Sequence, residues 1–556
     1  MATWQGFTGV NLAYVLELYD RFRKDPQSVD PETRALFERS TPPPAVFEDH
    51  AAAAPAATTT LSKAVAAVNL AQSIRRYGHL AAQIDPLGTR PQGDPSLLPE
   101  THGVSDADLR ALPANLISSP LADDAANMLE VVDAFRRVYC STTGYDYAHV
   151  FVPEERRWLR YAVEKGRFRS PADPIDPVAL LDRLTQVEAF ERFLQRTFPG
   201  KTRFSIEGLD MLVPILDEVI GDAAEAGIGS ILIGMAHRGR LNVMAHVLNK
   251  PYTQILAEFK DPVSSKNFRE DMAWTGDVKY HAGAHRAIKH GRAMDVVVAM
   301  PPNPSHLEAV DPVVEGMARA AGTTTDAAGA PEFDPAKSLP ILIHGDAAFP
   351  GQGIVAETLN LSRLPGYQTG GTIHIIVNNQ LGFTAMPRDS YSTSYASGLA
   401  RGFKIPIVHV NADDPEACVE AARLAIAYRN EFHRDFLIDL IGYRRHGHNE
   451  GDEPAFTQPV LYQKIAAHPT VRDIWGRTLV ERGVIASNAP DDLNKKYTGQ
   501  LQEAMDSLKP EQDFVEPQPP EPPAGAAARA ETAVPLERHR AVRACRGPRR
   551  RRCRQR

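Results

Sequence analysis

The sequence predicts an α/β fold in which a doubly wound, mainly parallel sheet is preceded by a helical N-terminal region. Three observations carry that expectation. First, short β-branched or leucine-rich runs recur at 231–235, 296–300, 341–344, 372–377, 405–410 and 436–441. Second, most of these runs are separated by longer segments able to form helices, an alternation that argues for a parallel sheet covered on both faces. Third, the runs continue into AHRGR, PPNPSHLEAV, GDAAFPGQG, NNQLGFT, NADDPEA and YRRHGHNEGDEP. Polar, glycine-rich and ionisable residues therefore cluster just after the strands, where open α/β sheets bind ligands.

Taken in chain order, residues 1–40 read as a helical docking segment. Leu12, Val15, Leu16, Tyr19 and Phe22 recur at three- and four-residue steps after Asn11, a suitable N-cap, and Asp30-Pro31-Glu32 opens a second helix with proline at the first helical position. The alternative is a hairpin folded back on its own body. Residues 41–60, rich in Pro, Ala and Thr, read as a linker. Residues 61–200 read as a helical domain, broken at Asp85-Pro86-Leu87-Gly88 and at later prolines. The α/β domain spans 201–465, a helical connection 466–515 and a second linker 516–537. Residues 538–556 hold ten arginines and neither lysine nor acid, which reads as a frame-shifted, disordered tail rather than a basic arm.

Bulk properties exclude several classes. A chain of 556 residues is too long for one compact core and suggests two to four domains. Its 43% hydrophobic and 24% charged residues are those of an ordinary globular protein, and a formal net charge of -7 gives its bulk no reason to seek nucleic acid or an anionic membrane. No apolar run approaches the roughly 18 residues of a membrane span. The N-terminus lacks the basic and apolar regions of a secretion signal. Cys140, Cys418, Cys545 and Cys553 have no metal-ligand or disulfide-framework spacing, so the expectation is a reducing cytoplasm.

The chemistry concentrates in HGDAAF (344–349) and VNNQLGF (377–383), with Asn379 placed 33 residues after Asp346. Mg²⁺ demands hard oxygens in near-octahedral array. An aspartate at one strand end, an asparagine oxygen at the next and a backbone carbonyl two residues on would supply three of them, and Gly345 and Ala347 are small enough to let a phosphate approach. The competing assignment is a helix-capping Asp and an Asn-Asn turn. His237, Arg238 and His281 neighbour strand ends in loops that would face the same cleft, as cationic or hydrogen-bonding groups for an anionic substrate or as structural hydrogen-bond partners. The run 443–454 offers His446, His448, Glu450, Asp452 and Glu453, a mixture suggestive of zinc, but it is assigned to shaping the cleft and no metal is placed there.

These motifs resemble the metal-diphosphate motif of thiamine-diphosphate enzymes, with Ala347 standing where a glycine is usual. A wider resemblance runs from IRRYGHLAAQIDPLG (74–88) to DEPAFTQPVLYQKI (452–465). It takes in LLDRLTQVEAFERFLQRTFPGKTRFSIEG, GMAHRGRLNV, TGDVKYHAG, NPSHLEAVDPVVEG, GQGIVAETLNLS and HVNADDPEA. The opening NLAYVLELYDRFRKDPQSVD is similar to the same family, so about five-sixths of the chain resembles the first, decarboxylating component of 2-oxoglutarate dehydrogenase. The resemblance implies a thiamine-diphosphate-binding fold, with Asp346, Asn379 and the Leu381 carbonyl on Mg²⁺. It implies Ser305, Leu307 and Ala347 beside the cofactor, Arg238 and His281 on 2-oxoglutarate, and His237 and His281 at the reacting centre.

It further implies transfer of a succinyl group to the lipoyl group of dihydrolipoyl succinyltransferase, a complex that also holds dihydrolipoyl dehydrogenase, and a homodimer. A pyrimidine-binding domain with its catalytic glutamate, and a further substrate histidine, are expected to be missing. The chain is accordingly expected to be inactive alone. The alternatives are a related decarboxylase, such as one acting on 2-oxoadipate, and a non-catalytic cofactor-binding or docking fragment.

Overall fold

The computed structural model describes residues 18–19, 21–39, 55–260, 278–290, 294–325, 330–449, 451–509 and 513. Asn11, Leu12, Val15, Leu16, residues 41–54, both C-terminal segments from 516 onward, Glu450, Cys545 and Cys553 lie outside the described residues. Asp30 caps the helix Pro31–Arg39 through the Glu32 and Thr33 N–H groups, at 3.1 and 3.0 Å. Phe37 of that helix receives Tyr19 edge-on at 5.1 Å and Phe22 at 5.6 Å, so the apolar residues of the two N-terminal segments pack on each other.

Among the described residues the strands are β1 (Thr143–Asp146), β2 (Ser230–Met235), β3 (Ala284–His290), β4 (Met294–Met300), β5 (Thr323–Thr324), β6 (Glu332–Phe333), β7 (Ser338–Gly345), β8 (Ile373–Asn378), β9 (Ile407–Asn411) and β10 (Phe436–Ile441). β5 and β6 form a small separate ladder. The others make one sheet in the order β1-β9-β10-β8-β7-β2-β4-β3. The six inner strands are parallel and the two edges, β1 on β9 and β3 on β4, are antiparallel. The doubly wound, mainly parallel sheet expected from the alternation is therefore present.

The two edge strands depart from the sequence expectation. β1 lies inside the stretch 61–200 read as helical, and its four residues are too few to reveal a period. β3 is a polar edge strand, AHRAIKH, and lacks the apolar continuity that marks a strand buried on both faces. A further departure concerns the stretch 41–60, because the helix Pro55–Tyr77 begins inside it. Proline is tolerated in a first helical turn, and alanine has little side-chain entropy to lose there. The helix is then held by burial of its apolar residues from Ala67 onward.

One apolar cluster runs from Ala67 to Leu479, so helices on both sides of residue 200 share a core with the sheet. The helices Val471–Glu481 and Ala489–Asp506 dock on the helix Pro177–Thr197. Arg472 reaches the buried Glu188 at 3.0 Å, and the Tyr497 hydroxyl donates to Asp182 at 2.6 Å.

The order of strands fixes where a ligand can sit. From β2 the chain runs outward to β3 and β4, then returns to place β7 on the other side of β2 before continuing to β8. The winding thus reverses between β2 and β7. At such a switch point the loops leaving adjacent carboxyl ends part and open a crevice.

Candidate cofactor site

β2 ends at Met235 and passes through His237, Arg238 and Gly239 into the helix Arg240–His246. Gly239 turns with φ 75°, and a Cβ there would lie 2.6 Å from Ile206 Cδ1, so the position requires glycine. Arg240 is fully buried. Its guanidinium donates to the carbonyls of Met235 at 2.9 Å, Ala282 at 2.8 Å and Pro301 at 2.9 Å. One side chain therefore ties together the end of β2, the loop carrying His281 and the loop after β4. Sequence reasoning did not single it out. The available signal was its position: a cation in the first helical turn opposes the helix dipole and needs another reason to be there.

That clamp brings two predicted histidines together. His237 Nε2 lies 3.4 Å from His281 Nε2, with the rings edge-to-face at 4.9 Å. His281 Nδ1 faces the Asn303 carbonyl at 2.5 Å, which fixes Nδ1–H and leaves Nε2 as the basic nitrogen of the neutral ring. Phe204 and Tyr280 pack against His237 at 5.1 and 5.5 Å. Arg238 donates to the Ser205 carbonyl at 2.8 Å and to that of His448 at 3.0 Å. It therefore braces two loops as well as projecting charge towards the cleft. Phe204 and Phe383, both outside the sequence assignment, sandwich the His448 ring at 5.7 and 5.1 Å. In the 443–454 run, His446 is bound to Glu207 at 2.7 Å and so serves to hold the loop.

Across the switch point, Gly345 pairs with Val377, so Asp346 and Asn379 leave neighbouring strand ends. Both are nearly buried, as is Leu381. Burial raises the Asp346 carboxyl to about 6, opposed by the positive charges of Arg238 and Arg444 and assisted by Asp439. Asn379 Oδ1 accepts the Leu381 N–H at 3.2 Å. The preceding Asn378 is anchored by Asp439 at 2.9 Å, and Gln380 adopts φ 60° while reaching Asp85 at 2.9 Å and the Gly442 carbonyl at 3.0 Å. A Cβ on Gly382 would fall 2.7 Å from that of Ala347, so the loops after β7 and β8 touch only because residue 382 is glycine.

Ser305 and Leu307 occupy the loop after β4 and are exposed, Leu307 at 43%. Their neighbour Glu308, with φ 66°, turns its carboxyl inward to the Gly345 N–H, so this loop also abuts the end of β7. The loops carrying every predicted residue therefore converge at one end of the sheet. Hard oxygens on Asp346 and Asn379, backed by two arginines and small residues at 345, 347 and 382, fit a magnesium-bound diphosphate.

A family model described as dehydrogenase E1 component matches residues 207–514, more than half of the chain. The chain belongs to the dehydrogenase E1 component family. Its fold is accordingly that family's thiamine-diphosphate-binding α/β arrangement, preceded by helices. A second model, 2-oxoglutarate dehydrogenase N-terminus, matches residues 7–42. The chain is 46% identical over 545 residues to a 2-oxoglutarate dehydrogenase E1 component of Bacillus velezensis, and 45% identical over 546 residues to that of Bacillus subtilis; each alignment covers 96% of this chain and 58% of the relative. A Bacillus licheniformis protein of the same name is 48% identical over 512 residues, 90% of this chain and 54% of that protein. The chain thus spans somewhat over half the length of these relatives.

Proposed function

We propose that this chain forms the diphosphate-binding portion of a 2-oxoglutarate dehydrogenase E1 component, acting with thiamine diphosphate and Mg²⁺. The observation that carries the reading is the meeting, at the switch point, of the β2 loop bearing His237 and Arg238 with the β7 and β8 loops bearing Asp346 and Asn379. In this reading Asp346, Asn379 and the Leu381 carbonyl hold the metal, and Ser305, Leu307 and Ala347 line the cofactor. Thiamine diphosphate, when bound, supplies the electron sink that loss of CO₂ from a 2-oxo acid requires.

The chain's own groups then bind and orient the substrate. Arg238 offers positive charge to a substrate carboxylate, and the bracing carbonyls of Ser205 and His448 fix where that charge sits. His281 presents Nε2 towards the cleft because Asn303 holds its other nitrogen, and His237, against Phe204 and Tyr280, stands beside it to share a proton with the reacting oxygen. The partners are those of the E1 role: 2-oxoglutarate, the lipoyl group of dihydrolipoyl succinyltransferase, dihydrolipoyl dehydrogenase within the complex, and a second E1 chain. The N-terminal segment serves docking, and the compartment is the cytoplasm. No helix among the described residues is long and apolar enough to cross a membrane.

The test is a chimera in which this chain replaces the matching 58% of the Bacillus subtilis relative. CO₂ release is measured across 2-oxo acids of rising length. The expected result is release that needs thiamine diphosphate and Mg²⁺ and is greatest with 2-oxoglutarate. A preference for 2-oxoadipate would move the substrate assignment, and a folded chimera that binds no cofactor would leave only a docking role.

A further inference from the structure

A second cluster of metal-ligating groups lies away from the switch point, where the N-terminal helical layer meets β9. It is built by four segments. His79 sits in the turn Gly78–Ala81 that ends the long N-terminal helix, Asp146 closes β1, His149 follows it, and His409 lies mid-strand on β9. One donor atom from each of His79, Asp146 and His409 lies within 4.8 Å of the other two. Gly144 permits the approach, since a Cβ there would lie 3.0 Å from that of His79. Asp146 is 1% exposed, His79 2% and His409 fully buried.

The hydrogen bonds on the far side of each ring decide what the near side offers. His409 Nδ1 faces Asp439 at 2.9 Å. His149 Nε2 faces the Ile405 carbonyl at 2.6 Å. His79 Nδ1 faces the Tyr395 hydroxyl at 3.1 Å, whose own proton goes to the His79 carbonyl at 3.0 Å. When neutral, each ring therefore carries its proton on the outer nitrogen and turns a lone pair inward. All three lone pairs are directed at one carboxylate: His79 Nε2 and His409 Nε2 are 3.9 Å from Asp146 oxygens and His149 Nδ1 is 3.4 Å away. Both Asp146 oxygens, His149 Nδ1 and His409 Nε2 are buried without a hydrogen-bond partner. Lone pairs facing an anion in a dry interior repel unless a cation lies between them.

We infer that His79, Asp146 and His409 form a buried site for a borderline divalent transition metal of the Zn²⁺ class, with His149 as a further donor. Two imidazoles and a carboxylate are the donor types zinc takes; ligand distances of about 2.0–2.2 Å put neighbouring donor atoms roughly 3.4 Å apart, so the trio, with 3.9 Å from each ligand histidine to an Asp146 oxygen and all donors within 4.8 Å, needs only a small inward shift to close on the ion. Outer hydrogen bonds from a carboxylate, a carbonyl and a hydroxyl are the supports that orient metal-bound histidines. The Arg401 guanidinium, 3.5 Å from Asp146 on the surface side, covers one carboxylate oxygen but reaches none of the three lone pairs by that contact. A single proton on His409 would serve one oxygen and leave the other two rings still facing the carboxylate. The enclosed setting suits a structural metal that pins the helical layer to the sheet. Because Asp439 holds both His409 and Asn378, the site also bears on the loop of Asn379. The inference does not depend on the proposed reaction.

The test uses the wild-type 556-residue chain with zinc and cobalt as probes. After desalting from micromolar zinc, about one tightly held zinc per chain is expected, and Co²⁺ in its place should give the visible absorption of a four-coordinate N/O site. His409→Gln should lose that metal, whereas Asp346→Asn should keep it, which separates this site from the cofactor site. If His409→Gln does not fold, anomalous scattering at the zinc edge from wild-type crystals decides, with a peak expected within bonding distance of His79 Nε2 and His409 Nε2. A folded wild-type chain without stoichiometric zinc, an anomalous peak elsewhere, or zinc lost in Asp346→Asn would each overturn the assignment.

Discussion

On the β9 side of the sheet two buried aspartates, Asp146 and Asp439, meet three imidazoles, His79, His149 and His409; on the β7 side four carboxyls, Glu308, Asp311, Glu315 and Asp435, surround only two, His344 and His374. His344 meets Glu308 at 2.8 Å and His374 at 3.0 Å, and His374 lies 3.8 Å from Asp435. Residue types are alike in the two clusters, yet their acids behave oppositely. Burial opposes the charge on Asp146, but a cation facing it, a metal or in its place the imidazolium of His409, outweighs burial and holds the carboxyl well below the usual carboxylate range. Burial pushes Glu308 and Glu315 up to about 7 and Asp311 up to about 8, with too few cations nearby to reverse it. The ratio of imidazoles to carboxyls, rather than depth, decides which cluster is charged.

The largest effect should come from breaking the charged cluster. Asp146→Asn leaves buried imidazoles and Arg401 without their anion, and such a loss typically costs about 3–5 kcal/mol. Chemical denaturation at pH 7 should register a drop of that order. A change within experimental error would mean that the Asp146 charge contributes nothing to stability.

A smaller effect should follow from pH. Groups raised in the folded state bind protons more tightly there than when unfolded, so Glu308, Asp311 and Glu315 lower stability as pH rises from about 4 through about 8. Asp146 is depressed, so its contribution is present above its ordinary 3.8 and is lost as pH falls below that. Unfolding midpoints measured against pH should therefore peak near about pH 4. Asp311→Asn, which cannot ionise, should flatten the alkaline fall while leaving the acid limb unchanged. An equal slope in wild type and variant would place the titration elsewhere.

Much of this was legible in the sequence, and what was not has physical causes. The inner strands were visible because strands covered on both faces are almost continuously apolar, as in FLIDLI of β10, interrupted only by Asp439. Asp346, Asn379 and His237 stood out because polar residues after such runs have few structural reasons to recur, whereas His281, which precedes the unexpected β3, was picked out by the family resemblance. Arg240 was hidden because its three partners are backbone carbonyls, which leave no pattern in side chains. His79, Asp146 and His409 were hidden for another reason: they are 67 and 263 residues apart, and only the packing of the turn Gly78–Ala81 on β1 together with the antiparallel pairing of β1 with β9 unites them. The pairing of Asp30 with its helix, by contrast, is a local affair and was readable at once.

The central claim is that the ends of β7 and β8 hold a metal-bound diphosphate through Asp346 and Asn379, and calorimetric titration of thiamine diphosphate into the chain tests it most directly. Binding should require Mg²⁺ and should weaken as pH falls below about 6, because the Asp346 carboxyl, raised by burial, must lose its proton to serve as a ligand. Asp346→Asn should remove both the Mg²⁺ requirement and the pH dependence, with affinity down at least about tenfold, or roughly 1.4 kcal/mol, and an unchanged circular dichroism spectrum. Undiminished, still Mg²⁺-dependent binding by a folded Asp346→Asn chain would contradict the account.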